Sequence, residues 1–276
     1  MLTLSPSTLV QIKSGSEKTP VIVAHGLSGT VQVNELAEHI LTQHPIYGIQ
    51  ARGLDGAEEP LDTVEQMAEL YSGAIVKLSP NVPCILIGYS FGGLVALEVA
   101  QQMLARGKPI ALLVVLDAYP HPRFMPAYWR FRLFLQRMKV HARQLIRLPL
   151  PEAISYCLNS ARRQVIRNRA RRETGEFIAE HGLPFSEAAL QRVNQRAYHA
   201  YANYRPRFYP GKIRFVTTAD KTFFPADPVQ IWGHLTGGLQ VETIPGTHYN
   251  ILTTEFQPLA EVLTRYLRQQ AESAAT

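Results

Sequence analysis

Short apolar segments alternate with helix-like segments along most of this chain. The apolar runs have the length of buried strands, and they lie at residues 20–24, 46–50, 84–88, 111–116, 213–216 and 239–244. Between two of these runs, apolar residues recur at the spacing of one helix face, at Val64, Met67, Ala68, Tyr71 and Ile75. Strands that alternate with helices pair in parallel through right-handed crossovers. The pattern therefore predicts an α/β fold with a mostly parallel central sheet flanked by helices.

Smaller features of the same pattern predict the outer elements. Residues 9–13 alternate weakly, which indicates an edge strand, and residues 33–41 have the pattern of a helix. Asp62 is predicted to open the next helix, with Glu65 three residues later as its capping partner. A closing amphipathic helix is predicted from the apolar positions between 259 and 267.

The alternation stops after Pro120, and no strand pattern returns until about Lys212. Two helical stripes lie in between, the first at Phe131, Phe134, Leu135, Met138, Ala142, Leu145 and Ile146, the second at Ile154, Cys157, Leu158, Ala161 and Val165. A helical insertion between two strands of an α/β sheet is typical of a lid over an active site. We therefore expect a single domain over residues 1–276, with a lid insertion at about 121–205 whose aromatic residues pack mainly within it.

The sequence Gly88-Tyr89-Ser90-Phe91-Gly92 lies between an apolar strand and a run of helix formers. In this setting the G-x-S-x-G pattern is typical of a nucleophile elbow, where the serine backbone is strained and side chains at the two glycines would collide across the turn. We predict that Ser90 is a nucleophile. The backbone N–H of Phe91 is then expected to face the substrate oxygen, at the positive end of the following helix.

A second glycine-bearing loop, His25-Gly26-Leu27-Ser28-Gly29, follows the strand at 20–24. Hydrolases of this build place their other oxyanion donor in such a loop. We predict that Leu27 supplies it through its backbone N–H. His25 is interpreted as a structural residue that shapes the turn.

Three more polar residues, Asp117, Asp220 and His248, follow later strands. The carboxyl ends of parallel strands meet at one edge of the sheet, where ligands bind in open α/β folds. Together with Ser90 these residues have the chain order Ser, Asp, His that is expected of the α/β-hydrolase fold. We predict His248 as the general base and Asp117, which directly ends its strand, as the acid that orients it. Asp220 is the alternative acid.

Composition limits the cellular location and the cofactors that we expect. The chain has 276 residues, two cysteines and a formal net charge of +6. No apolar run approaches the ~18 residues that span a bilayer, and the first residues lack the pattern of a signal peptide, so we expect a cytoplasmic protein without a transmembrane segment. Histidine and cysteine do not occur at metal-ligand spacing. We expect neither a metal nor a cofactor.

The positive charge is concentrated in the predicted insertion. Residues 121–172 carry a formal charge of +12, whereas the rest of the chain carries −6. Such a segment suits an acidic partner or a phosphate-bearing ligand, although a solvated arginine-rich helix face would have the same composition. No nucleic-acid-binding motif accompanies the charge, so we expect no nucleic-acid partner.

The run from Ile46 to Pro120 also resembles a known family. It contains Tyr47-Gly48-Ile49-Gln50-Ala51-Arg52-Gly53-Leu54-Asp55-Gly56, then the elbow and Leu116-Asp117, and it is similar to the thioesterase domains that release products from nonribosomal peptide and polyketide synthases. Residues 203–211 and 246–248 are similar too. The resemblance implies an acyl or peptidyl chain that arrives as a thioester on the phosphopantetheine arm of a carrier protein, is transferred to Ser90 and is then released.

The resemblance also implies a partner. Carrier proteins of this kind are typically acidic, so we expect docking near the basic insertion. Tyr89 and Asp117 resemble the chain-terminating domains, yet no carrier motif precedes the first strand, so we expect a free-standing protein or an excised domain. The alternatives are a macrocyclising acyl transferase with the same triad, a carboxylesterase or lipase that acts on free esters, and, less favoured, a non-catalytic hydrolase-fold receptor.

Overall fold

A seven-stranded sheet forms the centre of the molecule. The structure is a computed structural model that describes residues 8–30, 33–147, 185–220 and 227–275. Its strands are β1 (Leu9–Lys13), β2 (Val21–Ala24), β3 (Ile46–Ile49), β4 (Ile85–Tyr89), β5 (Leu112–Leu116), β6 (Tyr209–Thr218) and β7 (Thr236–Ile244). Their order is β1-β3-β2-β4-β5-β6-β7, with β1 antiparallel to β3 and every other pair parallel. The prediction of a mostly parallel sheet is confirmed.

Helices cover both faces of this sheet. They are α1 (Asn34–His39), α2 (Val64–Leu78), α3 (Phe91–Ala105), α4 (Ala127–Arg147), α5 (Glu187–Asn203), α6 (Pro228–Trp232) and α7 (Gln257–Ala275). Successive side chains of a strand point to opposite faces. In β4, Ile85 and Ile87 therefore pack in the core beneath α1 and α7, while Leu86 packs in the core beneath α2 and α3. None of the described helices is long and apolar enough to cross a membrane.

The start of α2 differs from its prediction by one residue. Thr63 is the N-cap, in extended conformation, and its side chain accepts a hydrogen bond from the Gln66 N–H at 3.2 Å. The prediction that Asp62 opens this helix with Glu65 as capping partner is wrong, because the hydroxyl of Thr63 already satisfies the free N–H of the first turn. The Asp62 carboxylate instead lies 3.5 Å from the Arg196 guanidinium of α5.

The described residues between β5 and β6 include the α-helices α4 and α5. In α4, Trp129 and Leu133 are buried, whereas the predicted packing stripe is exposed at Phe131, Phe134, Leu135 and Met138. The buried positions are four residues apart, so they share one helix face. The second predicted helical stripe, at 154–165, lies outside the described residues. That this segment acts as a lid stays a prediction.

The end of the inserted segment is fastened to the body of the molecule. In α5, Leu190 and Val193 pack on Ala51 and Leu54 in a small core of their own. Beyond α5, the buried Glu98 of α3 accepts hydrogen bonds from Tyr204 Oη at 3.0 Å and from Arg207 Nη2 at 3.0 Å. The chain then enters β6 at Tyr209, earlier than the predicted position near Lys212.

Candidate active site

The turn between β4 and α3 has the geometry of a nucleophile elbow. Ser90 stands between the two elements with φ of 53° and ψ of −125°. Such a backbone costs a residue other than glycine about 1–3 kcal/mol. The Ser90 N–H donates to the carbonyl oxygen of Leu116 at 2.9 Å, which ties the strained residue to β5. A Cβ at Gly88 would lie 2.3 Å from the carbonyl oxygen of Gly92, so the predicted collision across the turn is confirmed for the first glycine.

The second glycine of the elbow is required for another reason. A Cβ at Gly92 would lie 2.5 Å from the carbonyl oxygens of Ala24 and His25. The steric limit therefore comes from the end of β2, and the predicted collision across the turn is wrong for this position. The close approach places the first turn of α3 against the loop that begins at His25.

The two predicted oxyanion donors are Leu27, in the loop that begins at His25, and Phe91, at the start of α3. Phe91 is the first residue of α3, where a helix leaves its N–H groups without an acceptor. Leu27 lies within a turn that the Gly29 N–H closes by donating to the Gly26 carbonyl oxygen at 3.2 Å. Within the described ranges, the N–H groups of Leu27 and Phe91 do not donate to another protein atom. That these two N–H groups bind a substrate oxygen stays a prediction.

Ser90, His248 and Asp117 form a chain of hydrogen bonds at the carboxyl edge of the sheet. His248 Nε2 lies 3.1 Å from Ser90 Oγ, and His248 Nδ1 lies 2.8 Å from Asp117 Oδ2. His248 and Asp117 are buried, while Ser90 is partly exposed. Because a carboxylate only accepts hydrogen bonds, Nδ1 carries the proton. The Nε2 lone pair therefore faces the serine hydroxyl.

The Asp117 carboxylate is held by the neighbouring strand. β5 and β6 pair in a register that sets Leu116 opposite Val216, so Asp117, directly after β5, lies beside the last two residues of β6. Thr217 Oγ1 donates to Asp117 Oδ1 at 3.1 Å, and Thr218 Oγ1 lies 3.5 Å from Oδ2. These donors compensate for the loss of water around a buried carboxylate.

The alternative acid, Asp220, lies beyond the end of β6 and is exposed. Its N–H donates to the carbonyl oxygen of Gly246 at 3.2 Å, and its own carbonyl oxygen accepts from Thr218 Oγ1 at 3.1 Å. The carboxylate that contacts the Nδ1 of His248 belongs to Asp117. Of the two predicted acids, the structure thus brings Asp117 to the imidazole.

The loop after β7 holds His248 from its backbone and from its ring. Asn250 Oδ1 accepts from the Thr247 N–H at 2.6 Å and from Thr247 Oγ1 at 2.9 Å. The ring of Tyr89 stacks on the imidazole with centroids 5.0 Å apart and 24° between the planes. The Tyr89 hydroxyl also donates to the backbone carbonyl oxygen of His248. Tyr89, the residue directly before Ser90, therefore holds the imidazole of His248 in place.

A model of the thioesterase domain family matches residues 19–268. The chain belongs to this family. The match covers most of the chain, and the structural neighbours are thioesterases, so the expected class of enzyme, a thioesterase, is confirmed.

Relatives and solved structures agree with this assignment. This thioesterase is 37% identical over 119 residues, 43% of its length, to a dimodular nonribosomal peptide synthase of Bacillus subtilis (strain 168), and it spans 5% of that relative. It is similar in fold to the Vlm2 thioesterase domain bound with a dodecadepsipeptide, with 24% identity, a TM-score of 0.65, and coverage of 95% of this chain and 99% of that one. It is also similar in fold to the type II thioesterase BorB from the borrelidin biosynthetic cluster, with 19% identity and a TM-score of 0.63. That match covers 96% of this chain and 100% of the BorB chain.

His25 of this thioesterase is a second buried imidazole close to the elbow. Its Nδ1 lies 2.7 Å from the carbonyl oxygen of Gly26, and its Nε2 lies 2.7 Å from the hydroxyl of Tyr71. Burial lowers the pKa of His25 from 6.5 to about 4, against a smaller opposite effect of the Gly26 hydrogen bond. The ring is neutral at pH 7, which agrees with its interpretation as a structural residue.

Several residues around this site did not stand out in the sequence. Thr217 and Thr218 were visible only as the end of a strand, and their contact with Asp117 needs the strand order. Tyr89 was visible as the residue before Ser90, but its stacking on His248 depends on a loop distant in sequence. Tyr71 lies on the predicted core face of α2, where an apolar role is the ordinary expectation.

Proposed function

We propose that this thioesterase hydrolyses acyl or peptidyl thioesters carried on the phosphopantetheine arm of a carrier protein, through an acyl intermediate on Ser90. The observation that carries the proposal is the hydrogen-bonded series Ser90, His248, Asp117 in a chain of the thioesterase domain family. A serine, an imidazole and a buried carboxylate in this arrangement are the elements of nucleophilic acyl transfer.

In the first half of the reaction, Ser90 Oγ attacks the thioester carbonyl carbon while His248 Nε2 takes the hydroxyl proton. The Asp117 carboxylate stabilises the imidazolium that forms. The carbonyl oxygen becomes an oxyanion, which accepts hydrogen bonds from the N–H groups of Leu27 and Phe91 near the positive end of α3. When the C–S bond breaks, the arm leaves as a thiol with the proton from His248.

In the second half, a water molecule replaces the thiol. His248 Nε2 takes a proton from this water as its oxygen attacks the acyl carbon of the Ser90 ester. The tetrahedral intermediate then collapses, the C–Oγ bond breaks, and the proton returns to Ser90 Oγ. The product is a carboxylic acid. If an internal hydroxyl or amine of the acyl chain replaces the water, the same steps yield a macrocycle.

The carrier protein is proposed to dock near α4. Arg130, Arg132 and Lys139 of this helix are exposed, beside the exposed Phe131 and Phe134. An acidic carrier surface with apolar side chains complements such a mixture of cations and apolar groups. The relative from Bacillus subtilis is a nonribosomal peptide synthase, a class of protein that contains carrier domains.

Intact mass spectrometry tests the covalent step. The parent protein, Ser90→Ala and the distant control Ser273→Ala are incubated with acyl-loaded carrier protein and, separately, with a small acyl thioester. The parent and Ser273→Ala should gain the mass of the acyl group and release free acid or macrocycle, whereas Ser90→Ala should do neither. Absence of acylation in the parent with either substrate would contradict the proposal and favour free esters or a non-catalytic role.

The same assay tests the docking surface. Reversal of Arg130, Arg132 and Lys139 to glutamate should slow turnover of the carrier-bound substrate at least tenfold more than turnover of the small thioester. The control reverses three exposed cations elsewhere, at Lys77, Arg106 and Arg268. Equal effects on the two substrates would argue against docking at α4.

A further inference from the structure

The contacts of His25 define which of its ring nitrogens carries the proton. The carbonyl oxygen of Gly26 can only accept a hydrogen bond, so Nδ1, at 2.7 Å, must donate. In the neutral ring Nε2 is then an acceptor, and the Tyr71 hydroxyl, at 2.7 Å, must donate to it. Both groups are buried. A directed series of hydrogen bonds thus runs from Tyr71 through His25 to the Gly26 carbonyl oxygen.

The end of that series determines the direction of the Leu27 N–H. The carbonyl of Gly26 and the N–H of Leu27 belong to one planar peptide unit, in which they point in opposite directions. The Gly26 carbonyl oxygen accepts a second hydrogen bond from the Gly29 N–H at 3.2 Å. With two donors on its oxygen side, the peptide plane cannot rotate without breaking a hydrogen bond. The Leu27 N–H is therefore held towards the opposite side.

We propose that Tyr71 is a positioning residue for the oxyanion donor Leu27, acting through His25 and the Gly26 carbonyl. The inference rests on the proposed function, because it takes the Leu27 N–H as a donor to the oxyanion. Hydrogen bonds in series polarise one another, so a donor on the Gly26 oxygen also makes the Leu27 N–H a stronger donor. Tyr71 thereby links α2 to the transition state without touching the substrate.

The location of Tyr71 supports this role. Tyr71 faces His25 from α2, and its ring meets the imidazole edge-on with centroids 5.7 Å apart. Burial raises the pKa of the Tyr71 hydroxyl, opposed by the nearby charge of Arg52, so the hydroxyl keeps its proton. α2 itself packs along α3, the helix that carries Phe91. Of the two predicted oxyanion donors, Leu27 is thus linked to α2 through His25 and Tyr71, and Phe91 lies on α3, which packs along α2.

The test is Tyr71→Phe, which removes one hydroxyl and keeps the ring. We expect kcat for a small acyl thioester to fall about tenfold with KM changed less than twofold, since one displaced oxyanion donor affects the transition state and not the ground state. Affinity for an alkylboronic acid, which forms a tetrahedral adduct with the active serine, should fall by a similar factor. The matched control is Tyr266→Phe, which loses a hydroxyl bonded to Glu242 on the other face of the sheet.

A double-mutant cycle separates positioning from simple loss of stability. In His25→Asn, the side-chain amide can donate to the Gly26 carbonyl but is too short to reach Tyr71. Adding Tyr71→Phe to His25→Asn should then change kcat less than twofold, because the link is already broken. An unchanged kcat and boronate affinity in Tyr71→Phe, or an equal loss in Tyr266→Phe with an equal drop in Tm, would overturn the proposal.

The proposed function can fail independently of this inference. If Ser90 of the parent protein is not acylated by a thioester, the proposed function itself is wrong. If Ser90 is acylated and Tyr71→Phe turns over like the parent, only the role of Tyr71 is wrong.

Discussion

Two buried histidines at the same edge of the sheet, His25 and His248, show how the partners of an imidazole decide its role. Each follows a strand, and each has both ring nitrogens in hydrogen bonds. His248 lies between a serine hydroxyl and the carboxylate of Asp117. His25 lies between the hydroxyl of Tyr71 and a backbone carbonyl oxygen. The difference is one formal charge beside the ring.

In the proposed function, that charge separates a proton carrier, His248, from a structural link, His25. A carboxylate beside Nδ1 stabilises the cation that forms when Nε2 takes a proton. The contacts of His25 contain no such compensation, and burial lowers its pKa to about 4. Position after a strand and burial therefore do not distinguish the proposed catalytic histidine, His248, from His25. The type of the Nδ1 partner distinguishes the two.

The largest expected effect comes from removing the charge beside His248. Asp117→Asn should lower kcat for thioester hydrolysis by roughly 1,000- to 10,000-fold, because the amide does not stabilise the imidazolium and can favour the wrong tautomer. Steady-state kinetics with a small acyl thioester measure the loss. The variant should still bind substrate with nearly the parental KM.

Asp220→Asn is the matched control for this substitution. Asp220 is exposed, and the contact of His248 Nδ1 is with Asp117, so its kcat should stay within about twofold of the parent. If Asp220→Asn caused the larger loss, the carboxylate that supports His248 would be Asp220, after β6, and not Asp117.

The second effect concerns His25 and the stability of the fold. A pKa of 6.5 in the unfolded chain and about 4 in the folded chain means that the unfolded state binds more protons between these values. The contribution of neutral His25 to the free energy of unfolding is therefore fully present above about pH 6.5. It is lost as the pH falls towards 4. At about 1.4 kcal/mol per pKa unit, the loss is about 3 kcal/mol.

Urea unfolding of the parent protein and His25→Asn at pH 7 and pH 4.5 measures this contribution. Other titrating groups act equally in both proteins, so the difference between their pH slopes isolates His25. The parent should lose more free energy than the variant on acidification. Parallel slopes would mean that folded His25 accepts a proton as readily as the unfolded residue, and the contrast with His248 would disappear.

The sequence could predict the elements that depend on local pattern. The strand and helix around Ser90, the strand end at Asp117 and the apolar face from Val64 to Ile75 each follow from spacing within one segment. The order Ser, Asp, His also limits which residues can meet, because all three follow parallel strands whose carboxyl ends share one edge. The strands of the sheet, and the polar residues that follow them at its carboxyl edge, were therefore predictable.

The sequence could not predict contacts between segments that are distant along the chain. Gly92 is constrained by the carbonyl oxygens of Ala24 and His25, and this depends on β2 lying beside β4. The exposed stripe of α4 was predicted as a packing face, because spacing shows that residues share a face but not what covers it. The side-chain partners of His25 and His248 are also contacts between distant segments, so the sequence alone could not predict them.

The smallest expected effect concerns Tyr89, which holds His248 by its ring and by its hydroxyl. Tyr89→Phe keeps the stacked ring and removes only the donor to the His248 carbonyl oxygen. One hydrogen bond is worth about 0.5–1.5 kcal/mol net, so kcat should fall about threefold with little change in KM. Steady-state kinetics on the small acyl thioester provide the measurement.

Tyr89→Leu separates the two contacts, because it removes the stacked ring as well as the hydroxyl. If the ring orients the imidazole, this variant should lose clearly more kcat than Tyr89→Phe at a similar Tm. Equal losses would leave the hydroxyl as the whole contribution. If neither variant differed from the parent, Asp117 and the backbone of the His248 loop would suffice to hold the imidazole, and the partners on its nitrogens alone would distinguish His248 from His25.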